Sequence, residues 1–472
     1  MRTIEVIMFS VLRQKPGFYG RLWKLSLPII LQNLITTSLG FVDTFMVGLL
    51  GNDQLSAVTA ANTPIFLVQV VIFGVMSGLT VLVCQYWGKE DTVSINRVMG
   101  VAAYAGFAVA GLAALVLFLF PEWVMSLVTN NAGLIVLGAP YVRIVGVSYV
   151  FNAVSSVYVG MQRSTENPGF GMIVFAISML LNTFLNYCLI FGKFGAPRLE
   201  IAGAALATLA ARVVEFAIVV VYAVTNRRIP LAPRALLCPG RAMAKSAVIY
   251  AGPVIVNETL WGLGTAVMTA IMGHTVISAD MLAAYAIMGN IDKFATVACF
   301  GLAGSTAVIV GKRIGERASE EEVYNLSYCL LVVSFLLGAA VAVVLAVLLP
   351  TLFIPILYPL FSLTETAVEV AMTMCMVYIV MMPMKSFDVS NITGVLRAGG
   401  DARAAAILDL TPLWLVAVPL TALTGLVLHA PIWLVCLSIY SENICKMPAG
   451  FFRFKSRKWI NDVTIREGAG EE

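Results

Sequence analysis

Apolar residues run through this chain in long blocks separated by short polar stretches. The blocks fall near residues 25–50, 57–87, 98–120, 133–161, 170–192, 201–225, 245–273, 281–311, 323–349, 366–396, 403–428 and 431–452. Each is long enough to cross a hydrocarbon core of about 30 Å as a helix. The pattern predicts an all-α membrane protein with twelve transmembrane helices. The first block, Leu25–Leu50, is apolar or small almost throughout, with Pro28 near its start and Asp43 well inside. A carboxylate at the centre of such a helix costs about 2.5–3.5 kcal/mol on insertion scales, so Asp43 is a candidate functional group. The alternative is a structural carboxylate paired with donors of a neighbouring helix.

Composition agrees: 60% of residues are hydrophobic and 12% charged, where a soluble domain carries about 25% charged residues. The first block is too long, and too close to further spans, to be a cleaved signal peptide. Met1–Gly20 reads as a cytoplasmic arm or a surface-lying helix. With the N-terminus inside, the inner segments collect 24 of the 30 Lys and Arg, the outer loops hold Lys193 and Arg198, and Arg143, Arg212, Lys293 and Lys385 lie within spans. That asymmetry places both termini in the cytoplasm. The basic tail FRFKSRKW reads as an anchor at anionic lipid, too short to suggest nucleic-acid binding. Eight scattered cysteines with no CxxC pair indicate neither a disulfide framework nor a metal cluster.

The linker Thr225–Ser246, rich in Pro and basic residues, divides the spans six and six. The halves resemble each other. Pro28 matches Pro253 and Gly48 matches Gly273; Phe73–Glu90 lies against Phe300–Arg317, aligning Gly74 with Gly301; Gly160–Arg163 lies against Gly394–Arg397. Six is even, so the repeat is a parallel one, with a pseudo-two-fold axis along the membrane normal. The expected domains are an N-terminal arm (1–22), an N-lobe (23–226), a cytoplasmic linker (227–244), a C-lobe (245–455) and a tail (456–472). Two such bundles suit alternating access.

The second acid within a span is Glu258, five residues after Pro253. Asn182 and Asn186 are spaced i,i+4 and share a helix face; Thr208 offers a hydroxyl one helix later. A carboxylate with carboxamide and hydroxyl oxygens suits a small hard cation, so Asp43, Asn182, Asn186 and Thr208 form a candidate Na⁺ site, or a setting that tunes Asp43 for a proton. Interhelical hydrogen bonding is the alternative for the two asparagines, back-bonding to its own helix for Thr208, and static pairing for Glu258. Arg212 with Glu215, Lys385 with Asp388, and Asp292 with Lys293 read as pairs that hold charge cheaply in lipid. Asp388, on a helix that also carries Pro383, is the one most open to function. Asp409 reads as lying near an inner helix end without a special role.

The two histidines, His274 and His429, fall in outer loops, and neither GxxxxGK[ST] nor GxSxG occurs. An enzyme is not expected, and neither is any cofactor other than H⁺ or Na⁺ as coupling ion.

Several motifs together resemble the multidrug and toxic compound extrusion (MATE) family: SLPIILQNLITTSLGFVDTFMVG in span 1, the FG…G segment ending span 2, RSTENP after span 4, NTFLN in span 5, GAALATL in span 6, GPVIVNETLWGLG in span 7 and GVLRAGGDAR after span 10. The resemblance covers roughly Tyr19 to Phe454. It implies two six-helix lobes exporting organic cations or other amphipathic small molecules in exchange for H⁺ or Na⁺. Under it, Asp43, Asn182, Asn186 and Thr208 look like the family's N-lobe cluster, with Asn186 where some members carry Asp. Glu258 looks like the C-lobe acid, and Asp388 lies on the helix that supplies its partner acid. A bacterial cytoplasmic membrane and a monomer are expected. A flippase for lipid-linked precursors is the alternative within the same broad fold, and a non-transporting scaffold the alternative outside it.

Overall fold

The computed structural model describes residues 12–464 apart from Lys15, Phe361 and Ser362. The reading of Met1–Gly20 as an arm or surface helix therefore lies mostly outside the described residues, as does the end of the basic tail. Among the described residues, eleven helices are long and apolar enough to span a membrane: α1 Phe18–Gly48, α2 Asn52–Gly88, α3 Thr92–Leu119, α4 Ala132–Ser164, α5 Pro168–Phe191, α6 Glu200–Thr225, α7 Arg241–Met272, α8 Ser278–Gly315, α9 Glu320–Leu357, α10 Glu365–Leu396 and α11 Ala402–Val427. The twelfth block is a broken helix, α12 Ile432–Ile439 followed by α13 Ser441–Lys455. Pro448 lies inside α13, and Glu442 and Lys446 interrupt the apolar run, so no single long apolar helix forms there. The fold is all-α.

Starts and stops follow local chemistry. Asp91 accepts from the Ser94 backbone N–H at 2.9 Å and opens α3, as an N-cap carboxylate does. Gly192 closes α5 in the left-handed conformation, which a residue without Cβ adopts at no steric cost. Prolines sit inside α1, α2, α4, α7 and α10. In the second half of the chain several helices pass into π-helical stretches: Leu349–Leu357 ends α9, Ser390–Leu396 ends α10, and α11 alternates between the two forms after Pro412. Each proline removes a ladder N–H and displaces the carbonyl behind it. Pro350 and Pro355 lie within the wider turns of Leu349–Leu357, and Pro412 immediately precedes those of α11, whereas Pro28, Pro64, Pro140 and Pro253 are carried in α-helix.

The chain folds as two compact units. One is Leu31–Ile255 with Thr464; the other is Val256–Val463 with the described residues before Leu31. The sequence places the division in the linker after residue 226, whereas the compact units divide inside α1 and α7. The reason is in the packing. In the second unit, a Cβ on Gly301 would lie 3.1 Å from the Ile30 Cα, and Ser26 and Ser305 hydroxyls are 2.6 Å apart. In the first, a Cβ on Gly74 would lie 2.9 Å from the Ile255 Cα, and one on Gly78 only 2.4 Å from the Ala251 Cα. Gly74 is the repeat equivalent of Gly301, and Ile255 of Ile30, so the same backbone approach is built in each unit from equivalent residues.

Each unit has its own core. The first packs Val47, Ala57, Leu117, Val142, Ile190 and Ala205. The second has one cluster around Met272, Met281, Tyr358 and Tyr378 and another around Phe454 and Trp459, whose rings stack 5.7 Å apart. Outward faces carry Leu112, Val136, Val224 and Leu415, all exposed; lipid, as apolar as leucine, removes the cost of leaving them uncovered.

Candidate functional site

In the first unit, four polar side chains from three helices join into one chain of hydrogen bonds. Asn186 Nδ2 donates to Asp43 Oδ1 at 2.5 Å and to Asn182 Oδ1 at 3.0 Å. Asn182 Nδ2 donates to Thr208 Oγ1 at 3.3 Å. The i,i+4 spacing on α5 stacks the two carboxamides on one face. Asn182 and Asn186 are buried, and Asp43 is half-buried. Both amide hydrogens of Asn186 are thereby committed, and its Oδ1 is buried without a partner. The helices can come this close because α6 opens on small residues: a Cβ on Gly203 would lie 2.6 Å from the Leu189 carbonyl oxygen of α5. The cluster is therefore an acceptor-rich pocket around one carboxylate, able to take a proton or a small cation.

The unit holds a base as well. Arg212, one turn beyond Thr208 on α6, donates to Glu215 at 2.6 Å, and Glu215 is fully buried. The pairing read from the sequence is present. Tyr141 of α4, which the sequence reading did not single out, donates to Asn62 Oδ1 at 3.4 Å and lies within electrostatic reach of Asp43. An aromatic residue in an apolar helix gives no sequence signal of that placement.

The second unit departs from the expected pairs. Glu258 of α7 is held by Arg397, whose Nη1 is 2.9 Å from Glu258 Oε1. Arg397 is 5% exposed, so it is an interior group and not one of the cytoplasmic loop charges. Lys385 does not pair with Asp388, nor Asp292 with Lys293: Lys385 bonds Asp292 across helices, and the Tyr378 hydroxyl donates to the same Asp292 oxygen at 2.5 Å. The near-helical spacing of Lys385 and Asp388 suggested a local pair, but the two project to different neighbours. Asp409, expected to need no role, accepts from Asn257 Nδ2 at 2.9 Å and from Lys446 Nζ at 2.9 Å. Lys446 also bonds Glu442 at 2.9 Å and is buried. Asp388 is 3% exposed, and neither of its carboxylate oxygens has a hydrogen-bond partner. The Asn257–Asp409–Lys446–Glu442 network was the main omission. A Glu–Lys pair at i,i+4 inside an apolar block was its available signal.

Thus, of the six sequence-chosen residues, Asp43, Asn182, Asn186 and Thr208 are linked by hydrogen bonds in one unit, and in the second Glu258 is paired with Arg397 while Asp388 has no partner among the described residues. The family model for MatE matches the chain twice, over residues 28–188 and 253–423, starting at the two equivalent prolines. This chain belongs to the MATE family. It is a multi-pass membrane transporter and not an enzyme. It is 23% identical over 443 residues to the uncharacterized transporter YisQ of Bacillus subtilis, spanning 93% of this chain and 94% of that one. It is 22% identical to a probable multidrug resistance protein NorM of Thermotoga maritima, covering 94% of each. Among solved structures, a MATE in its bent conformation superposes with TM-score 0.82 at 17% identity, covering 98% of this chain and 99% of that one. The eukaryotic MATE transporter AtDTX14 superposes with TM-score 0.81 at 15% identity, over 96% and 98%. The two-lobe MATE fold is therefore that of this chain.

Proposed function

We propose that this MATE protein is a secondary active antiporter. It exports amphipathic or cationic small molecules, drugs or toxic metabolites, in exchange for H⁺ or Na⁺ by alternating access. It works as a monomer in a cytoplasmic membrane with both termini inside. The observation that carries the reading is the linked Asp43–Asn186–Asn182–Thr208 cluster. A carboxylate set in a membrane helix among carboxamides, with acceptors to spare, is costly to keep, and a visiting cation or proton is the use that offsets that cost. Ion and substrate then compete for Asp43, and Glu258 and Asp388 are the second unit's acids in the same exchange. Relatives named for multidrug resistance support export as the direction.

A one-for-one exchange for a monovalent cationic substrate moves no net charge and runs on the ion's concentration gradient alone; for an uncharged substrate, one monovalent cation entering through 100 mV releases about 2.3 kcal/mol. At about 1.4 kcal/mol per tenfold, that sustains a gradient of roughly fifty-fold. Everted membrane vesicles test the mechanism directly. Uptake of a fluorescent cationic drug is expected under an imposed ion gradient, to stop when the gradient is dissipated, and to be lost in the Asp43→Asn, Asp388→Asn double variant. Uptake that persists in that variant with the gradient intact removes the proposal.

A further inference from the structure

Among the described residues, five acids lie on the helices of the second unit clear of their exposed ends: Glu258, Asp292, Asp388, Asp409 and Glu442. Four of them hold a base. Arg397 is on Glu258, Lys385 on Asp292, and Lys446 on both Asp409 and Glu442. Asp388 holds none; both of its oxygens are buried and unpartnered. Asn391, one turn on, is fully buried and its amide nitrogen and oxygen are unpartnered as well. The helix that covers this pair is α13. A Cβ on Gly450 would lie 2.7 Å from Asn391 Nδ2, and Lys446 is one turn before Gly450. The charges that bear on Asp388 are those of Lys446, Asp409 and Glu442.

Every titratable neighbour can be placed. Arg397 and Lys385 share α10 with Asp388 and are engaged by Glu258 and Asp292. Asp409 comes from α11, and Glu442 and Lys446 from α13. On the remaining side, Cys299 of α8 and Ser334 of α9 meet Ser386, and all three are uncharged. The hydroxyls of Ser334, Ser386 and Ser390 are already bonded among themselves and to backbone carbonyls.

A metal cation needs several oxygens free to converge on it. Here the ammonium of Lys446 has drawn two of the three neighbouring carboxylates to itself, and a second cation beside it would meet a like charge in a poorly screened interior. A proton needs much less. A neutral carboxyl both donates and accepts, so one neutral partner suffices, and Asn391, one turn on and not hydrogen-bonded to Asp388 in the charged form, has a free amide nitrogen and oxygen to offer it. We propose that Lys446 is a tethered cation that fills the centre of this acid cluster, excluding metal ions and leaving a proton at Asp388, partnered by Asn391, as the only ion this unit exchanges. The inference rests on the antiport reading and narrows its coupling ion.

The test is thermal unfolding of the full chain in detergent, with NaCl replacing choline chloride at constant ionic strength. It is run in an Asp43→Asn background, so that the first unit's carboxylate is absent. The Tm of that protein is expected to be indifferent to Na⁺. Adding Lys446→Gln should produce a saturable upward shift of Tm with Na⁺, and adding Asp388→Asn to that should abolish it. If Lys446→Gln does not fold, the charge-balanced pair Lys446→Gln with Glu442→Gln carries the same expectation. A saturable Na⁺ shift in the Asp43→Asn protein that Asp388→Asn removes overturns the proposal, as does a Lys446 variant that stays indifferent to Na⁺. Failure of the antiport reading shows elsewhere, in vesicles where no ion gradient drives uptake; the unfolding titration needs no transport.

Discussion

At the scale of single residues, charge in this protein is handled by pairing, and the exceptions mark the chemistry. Arg397 and Glu258 are both largely buried and 2.9 Å apart. Breaking such a pair from one side leaves a charge in a medium that cannot solvate it, at a cost of about 3–5 kcal/mol. Arg397→Ala is therefore expected to lower the unfolding free energy by about that much. Adding Glu258→Gln should recover a large part of the loss, because no charge is then stranded. Denaturant unfolding of the purified single and double variants checks it; equal losses in both would mean that Arg397 contributes through packing alone. Asp43 is the opposite case. It accepts a neutral carboxamide hydrogen bond and has no ion pair among the described residues, and on the antiport proposal it is the group a visiting cation meets.

At the scale of helices, small residues decide how closely backbones approach, and so where the polar side chains meet. Gly78 faces the Ala251 Cα of α7, with 2.4 Å for any added Cβ, and Gly203 faces the Leu189 carbonyl with 2.6 Å. Neither obstacle is a flexible side-chain tip, so one extra carbon must push a helix. Gly78→Ala and Gly203→Ala are each expected to destabilise by about 1–3 kcal/mol, the usual penalty of overpacking. Gly169→Ala, with nothing within 4 Å, should be neutral or slightly stabilising, as alanine is the better helix former. Thermal unfolding of the three variants side by side makes the comparison. Gly203→Ala should also raise the substrate concentration needed for half-maximal uptake, because α6 carries Thr208 away from Asn182. The π-helical turn at Ser390–Leu396 acts at this scale too: it follows Asp388 and Asn391 is within it, so the face they present does not follow from ordinary helical spacing.

At the scale of the whole molecule, the proposed topology of twelve crossings, six in each half, would put the linker between the halves on the same side as both termini. Cys238 lies exposed in that linker, just after the short helix Pro233–Leu237. A membrane-impermeant thiol reagent is expected to label a variant retaining only Cys238 in everted vesicles and not in intact cells; labelling from outside would overturn the topology. The sequence alone determined the apolar blocks, the duplication and which residues make up the Asp43 cluster, for two reasons. Hydrophobic blocks of membrane length have few other uses, and Asn182, Asn186 and Thr208 advertise themselves as polar residues at helical spacing in apolar runs. Only the tertiary structure decided which charges pair. Lys385 has Asp388 three residues away yet bonds Asp292, and Lys446, counted with the cytoplasmic charges, is buried between Asp409 and Glu442. Spacing along one helix reports neighbours on that helix, whereas the partner of a buried charge is set by which helix packs across from it, and that is decided by glycines and prolines far away in the chain.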